Sequence, residues 1–126
     1  MSLAEKITDA ELEVMKILWR ERRQVSFTEL WTELHRTVGW EKPTIQTLIR
    51  RLAEKNVITA EKLNILHYTP NVTETEYVQA QEQQMLDKLY GGSAKKFVAA
   101  LVSGGKLSES DIDELKAYFV VGERDE

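Results

Sequence analysis

The sequence predicts a mainly α-helical chain: an N-terminal winged helix-turn-helix with a small two-stranded wing, followed by a C-terminal three-helix dimerisation region. Three observations predict it. Threonine or serine followed three residues later by glutamate precedes an apolar stripe at Thr8 and Glu11, at Ser26 and Glu29, and at Thr73 and Glu76. That pairing marks a capped helix start. Two β-prone runs, Val57–Ala60 and Ile65–Thr69, flank a polar turn at residues 61–64, as in a hairpin. Double glycines at Gly91-Gly92 and Gly104-Gly105 cut the C-terminal part into short helices.

The first long helix is expected from Asp9 to about Glu21. Ile7 is placed to staple onto Leu12, and Leu12, Met15, Leu18 and Trp19 form its apolar stripe. The second runs from the Ser26 cap to about Thr37 and carries Phe27, Leu30, Trp31 and Leu34. Gly39 allows the turn that follows. The third spans Glu41 to Lys55, with Pro43 in a first turn where its missing N–H costs nothing. The hairpin comes next, ended by Pro70. Three helices and a hairpin, in that order, are the winged helix-turn-helix arrangement, with the third helix as reader.

Residues 1–72 are therefore read as a DNA-binding domain and residues 73–126 as a helical dimerisation domain. In the second, Thr73 opens a helix to about Tyr90, a shorter helix covers about Ser93 to Val102, and Ser108 caps the last. Asp111 and Asp113 sit in that last helix's first turn, as its dipole prefers. Such short helices bury their stripes poorly alone. Packing against the same region of a second chain solves this, and folding back onto residues 1–72 is the alternative. The dimer is favoured, because a two-fold also suits DNA binding. Its expected interface is Tyr77, Leu86, Leu89, Phe97, Val98, Leu101, Ile112, Leu115, Tyr118 and Phe119.

The third helix has two unlike faces. Ile45, Leu48, Ile49 and Leu52 fall at core-facing spacing. Gln46, Thr47, Arg50 and Arg51 lie opposite, with Thr44 and Lys42 at the helix start. Hydroxyls, an amide and guanidiniums are the donors that read phosphates and base edges in a major groove. A solvated helix face and a local capping role for Thr44 are the plainer alternatives. Thr47 lies where threonine is mildly unfavourable in a helix, so an outside partner such as a thymine methyl or a phosphate oxygen is expected to reward it. Lys62 in the wing turn adds a phosphate contact.

Charge permits this without requiring it. The chain of 126 residues has a formal net charge of −4. Residues 1–72 hold 11 basic against 10 acidic side chains, residues 73–126 hold 6 against 11, and residues 20–62 hold 9 against 6. A local basic surface suffices for duplex DNA.

Other classes are disfavoured. There is no cysteine, which removes disulfides, thiolate metal sites and cysteine nucleophiles. No apolar run approaches the roughly 20 residues needed to span a bilayer, and no signal peptide is apparent; a cytoplasmic protein without membrane insertion is expected. His35 and His67 stand apart, and no metal or other cofactor is expected. His35 suits a helix C-terminus and His67 the wing strand. Trp19, Trp31 and Trp40 are read as core or core-edge residues. No glycine-rich phosphate loop, GxSxG or HExxH occurs, so catalysis is not expected.

Three segments, ITDAELEVMKILW, KPTIQTLIRRLAEK and HYTPN, together resemble the penicillinase repressor family, which includes β-lactamase and methicillin-resistance repressors and a copper-responsive branch. The likeness runs from Ile7 to about Phe119 and includes LYGGS and LSESDIDELKAYF. It implies a cytoplasmic homodimer that blocks transcription at palindromic operators. It also implies reading roles for Thr44, Thr47 and Arg51, with Arg50 beside them and Lys42 near phosphate. The family's β-lactamase repressors carry a more basic wing than Glu61-Lys62-Leu63-Asn64. They are inactivated by proteolysis at an Asn-Phe bond, and the resemblance implies a membrane sensor-protease as partner; the matching bond here is Ala100-Leu101. The copper branch senses metal through cysteines, which this chain lacks. The alternative is a winged-helix protein-interaction module without DNA binding, since the fold serves both.

Overall fold

The structure is a computed structural model that describes residues 2–124, with side chains described as far as Phe119. It contains α1 (Leu3–Lys6), α2 (Asp9–Glu21), β1 (Val25–Ser26), α3 (Phe27–Val38), α4 (Lys42–Glu54), β2 (Ile58–Lys62), β3 (Leu66–Pro70), α5 (Glu74–Leu89), α6 (Ala94–Ser103) and α7 (Glu109–Arg124). The chain divides into two compact units, residues 1–82 and 83–126.

In the first unit, helix starts follow the capping chemistry. At α2 the box is complete: the Glu11 N–H donates to Thr8 Oγ1 and the Thr8 N–H donates to Glu11 Oε1. At α3 only half forms. The Glu29 N–H donates to Ser26 Oγ, but the Glu29 carboxylate pairs with Arg23 at 2.7 Å. The Ser26 residue also lies in a strand, opposite His67. The α4 start has no side-chain cap at Glu41, and Pro43 occupies its first turn. Thr44 is thus inside the helix and does not cap it.

The wing differs from the expected hairpin of two strands. The sheet has three antiparallel strands in the order β1-β3-β2, because Val25 and Ser26 pair with Tyr68 and His67. The main hairpin pairs Ile58 with Pro70 and Lys62 with Leu66, so strand pairing extends to the residue expected to end it. Pro70 is at the strand's last position, where its missing N–H is tolerated.

The core of the first unit joins Val14, Met15 and Leu18 of α2 to Leu30 and Leu34 of α3, the inner stripe of α4, and Val57, Ile58 and Tyr68 of the wing. Trp19, Trp31 and Trp40 are half-buried against it. Tyr77 belongs to this core too. It is 6% exposed, its ring centroid is 5.7 Å from that of Trp19, and its hydroxyl accepts from Gln81 Nε2. This corrects its assignment to a dimer interface: burying a large aromatic beside Trp19 outweighs leaving it for another chain. It also explains why the first unit runs past residue 72.

The second unit has α6, α7 and the end of α5. Ser93 caps α6 through the Lys96 N–H, and Ser108 and Asp111 exchange bonds at the start of α7. Tyr90 and Phe97 rings lie 5.1 Å apart. Leu86, Leu101 and Ile112 are half-buried, whereas Leu89, Val98, Leu115, Tyr118 and Phe119 are exposed. Tyr118 and Phe119 are 74% and 72% exposed, a large apolar surface for one chain to leave in water.

Candidate nucleic-acid interface

The inner face of α4, Ile45, Leu48, Ile49 and Leu52, is buried. This turns Lys42, Thr44, Gln46, Arg50 and Arg51 to solvent, with Thr47 half-buried at the margin. The helix therefore presents its polar side as a continuous strip. Among the described residues, the side chains of Thr44, Gln46, Arg51 and Lys62 make no hydrogen bond or ion pair. Donors held in water and unpaired within the protein are available to phosphate oxygens and base edges. Arg50 is partly engaged: its Nη1 lies 3.2 Å from Glu54 Oε1, one turn along. Such an exposed pair is weak and exchanges readily for phosphate.

Of the two outside partners expected for Thr47, a thymine methyl and a phosphate oxygen, the local bonding of its hydroxyl favours the methyl. Its Oγ1 donates to the Pro43 carbonyl at 3.0 Å, a bond to the preceding turn. The hydroxyl is satisfied locally, which leaves the methyl group as the part of Thr47 suited to an apolar contact.

The start of α4 is built on α3. The Lys42 ammonium stands 4.9 Å from the centroid of the Trp31 ring. The His35 ring stacks on the same indole, with centroids 5.0 Å apart and planes 13° from parallel. His35 Nδ1 also lies 3.1 Å from the Trp40 carbonyl and 3.7 Å from Glu41. Trp31 and His35 are four residues apart, a spacing that stacks them on one helix face. That spacing was a sequence signal for this cluster, though Trp31 read only as a core-edge residue.

The other end of α4 is anchored. Lys55, at the C-cap, reaches Glu11 Oε1 at 2.6 Å and the Lys6 carbonyl at 2.5 Å. Burial of Glu11 by itself raises its pKa. The Lys55 and Thr8 hydrogen bonds, with the Lys55 charge, outweigh this and hold the carboxyl below its ordinary value. The wing is less prepared for phosphate. Lys62 is exposed, but Glu61 accepts from Gln24, and the tip carries exposed Leu63, Ile65 and Leu66. His67 is half-buried, with Nδ1 2.9 Å from the Ile65 carbonyl. No group of three or more metal-ligating side chains occurs among the described residues. No described helix is long and apolar enough to cross a membrane.

A buried stripe, an open polar strip and a wing beside it define a winged-helix protein of the class whose third long helix reads duplex DNA. The chain belongs to the penicillinase repressor family, whose model matches residues 7–120. It is 34% identical to the penicillinase repressor of Bacillus licheniformis over 111 residues, 87% of this chain and 86% of that relative. It is 32% identical to the methicillin resistance regulatory protein MecI of Staphylococcus aureus strain N315 over 112 residues, 88% of this chain and 90% of that one.

Two solved structures are similar. The solution structure of the DNA binding domain of the repressor BlaI matches with a TM-score of 0.53 at 36% identity, covering 60% of this chain and 92% of that one. The Bacillus licheniformis BlaI monomeric form, in complex with the blaP half-operator, matches with a TM-score of 0.50 at 40% identity, covering 56% and 87%.

Proposed function

We propose that this chain is a homodimeric transcriptional repressor that lays α4 of each protomer in successive major grooves of a palindromic operator. The observation that carries the reading is the open strip of α4, where Thr44, Gln46 and Arg51 are exposed and unpaired. The relative bound to the blaP half-operator supports it. Arg51, Thr44, Gln46 and the Thr47 methyl supply base contacts. Lys42, Arg50 and Lys62 supply phosphate contacts that set affinity and its salt dependence. Half-sites lie roughly 34–36 Å apart, or a multiple of that.

The exposed apolar side chains of α5 to α7 support pairing of two chains. Release follows from weakening that pair, because a lone protomer loses the tethering that multiplies its contacts. Cleavage at Ala100-Leu101, by a membrane sensor-protease or by a different protease, is one route. The bond lies inside α6, so the helix must open locally before a protease can take it.

The apolar wing tip favours a second reading, a protein-interaction module. Binding of a duplex carrying two inverted blaP half-operators, compared with a scrambled duplex at two salt concentrations, separates the two. Preference for the half-operator duplex with a steep salt slope supports the repressor. No binding to either duplex at low salt supports the interaction module.

A further inference from the structure

We infer that Trp31 is a positioning residue for DNA contact: its indole face holds the Lys42 ammonium at the start of α4, so that a phosphate meets a pre-placed charge. The inference rests on the DNA reading and adds a residue of α3 to it. It stands on the juxtaposition of three side chains. Lys42 Nζ is 4.9 Å from the indole centroid, and the nearly parallel His35 ring restrains the indole plane. Lys42 itself is exposed and is the first residue of α4.

A free lysine loses much side-chain freedom when it is fixed on a phosphate. Part of that loss is already met where the ammonium rests over an aromatic face, since the contact limits its rotamers. An ammonium has three N–H donors. A ring on one side leaves donors on the other for phosphate oxygens. The helix N-terminus adds backbone dipole of the same sign. Charge, dipole and placement thus converge on one point of the proposed interface.

Trp31 Nε1 gives the inference an unusual handle. It is buried and has no hydrogen-bond partner. An unmet buried donor opposes stability, so the indole is not held there by that N–H. Phenylalanine keeps a ring face, weaker towards cations, and removes the orphan donor.

The test measures binding of a random-sequence duplex at low salt, because a phosphate contact is independent of sequence. Wild type, Trp31→Phe, Trp31→Leu, Lys42→Ala and the double variant Trp31→Leu with Lys42→Ala are compared. Lys42→Ala is expected to lower the salt slope by about 0.9. Trp31→Leu is expected to weaken binding about two- to fivefold, with Trp31→Phe between it and wild type. In the Lys42→Ala background the same change should add nothing further. Thermal melts should show that Trp31→Phe does not lose stability in parallel with affinity. Proton NMR gives a readout without DNA: the Lys42 methylene resonances should be ring-current shifted in wild type and move back in Trp31→Leu.

Unchanged affinity in Trp31→Leu overturns the inference. So does an equal loss with and without Lys42, which shows that the indole acts through packing alone. In both cases the wild type still binds, and the DNA reading survives. Absence of duplex binding by the wild type itself removes that reading and this inference together.

Discussion

Lys55 Nζ lies 2.6 Å from Glu11 Oε1, tying the end of the reading helix to the first turn of α2. Glu11 is fully buried, and its second oxygen has no partner. Removing the lysine leaves a buried carboxylate with its countercharge gone. Lys55→Met is expected to destabilise the first unit by about 2–4 kcal/mol. Combining it with Glu11→Gln should recover part of that loss. Chemical denaturation of the wild type and the two variants checks both statements.

The same pair sets an acid limit. The folded-state pKa of Glu11 is below the ordinary value of 4.5, the balance of burial raising it and Lys55 and Thr8 lowering it. A depressed carboxyl contributes stability that is present above the unfolded-state pKa and lost as pH falls through the folded-state pKa. Melting temperature is therefore expected to fall with acid below pH 4.5. Glu11→Gln should flatten that part of the profile. An unchanged slope in Glu11→Gln would assign the acid sensitivity to other carboxylates.

Arg51 is exposed and unpaired on the outer side of α4. Arg51→Ala is expected to weaken binding to the half-operator duplex by about 1–3 kcal/mol and to relax its preference over scrambled DNA. Fluorescence anisotropy on both duplexes measures this. Equal loss on the two would show a backbone contact only.

Thr47 separates its two groups. Because its hydroxyl is spent on the Pro43 carbonyl, Thr47→Val should keep operator affinity within about 0.5 kcal/mol. Thr47→Ser, which keeps the hydroxyl and loses the methyl, should weaken discrimination of thymine. The reverse order would place the hydroxyl, not the methyl, at the DNA.

Pairing of chains is expected to depend on the exposed end of α7. Phe119→Glu should convert a dimer to a monomer in analytical ultracentrifugation without lowering the stability of the first unit. Operator affinity should then drop by about 10²–10⁴-fold through lost tethering. A variant that remains dimeric would place the interface elsewhere.

Much of the first unit is legible in the chain because its signals are local. The Thr8 and Glu11 box and the four apolar positions of α4 mark α2 and the reading helix to within a residue or two. The strand β1 is not legible in this way. Two residues show no alternation, and Ser26 doubles as a helix cap. The stripe containing Tyr77 shows that the residue wants burial, but periodicity carries no information about which body buries it. Nothing local marks Lys55 as an anchor; its role arises from Glu11 and Lys6, far away in sequence. On the outer strip of α4, residue types were readable, whereas the Thr47 back-bond and the Trp31 platform needed coordinates.

The place of Tyr77 bears on where this chain can be divided. With its ring beside Trp19, and Gln81 donating to the Ala4 carbonyl, the opening turns of α5 are structural masonry for the N-terminal half. A fragment trimmed at Val72 would expose an indole and strip two tethers, whereas one reaching Glu82 keeps its own walls. Limited digestion should accordingly leave a resistant piece whose end lies beyond Gln81.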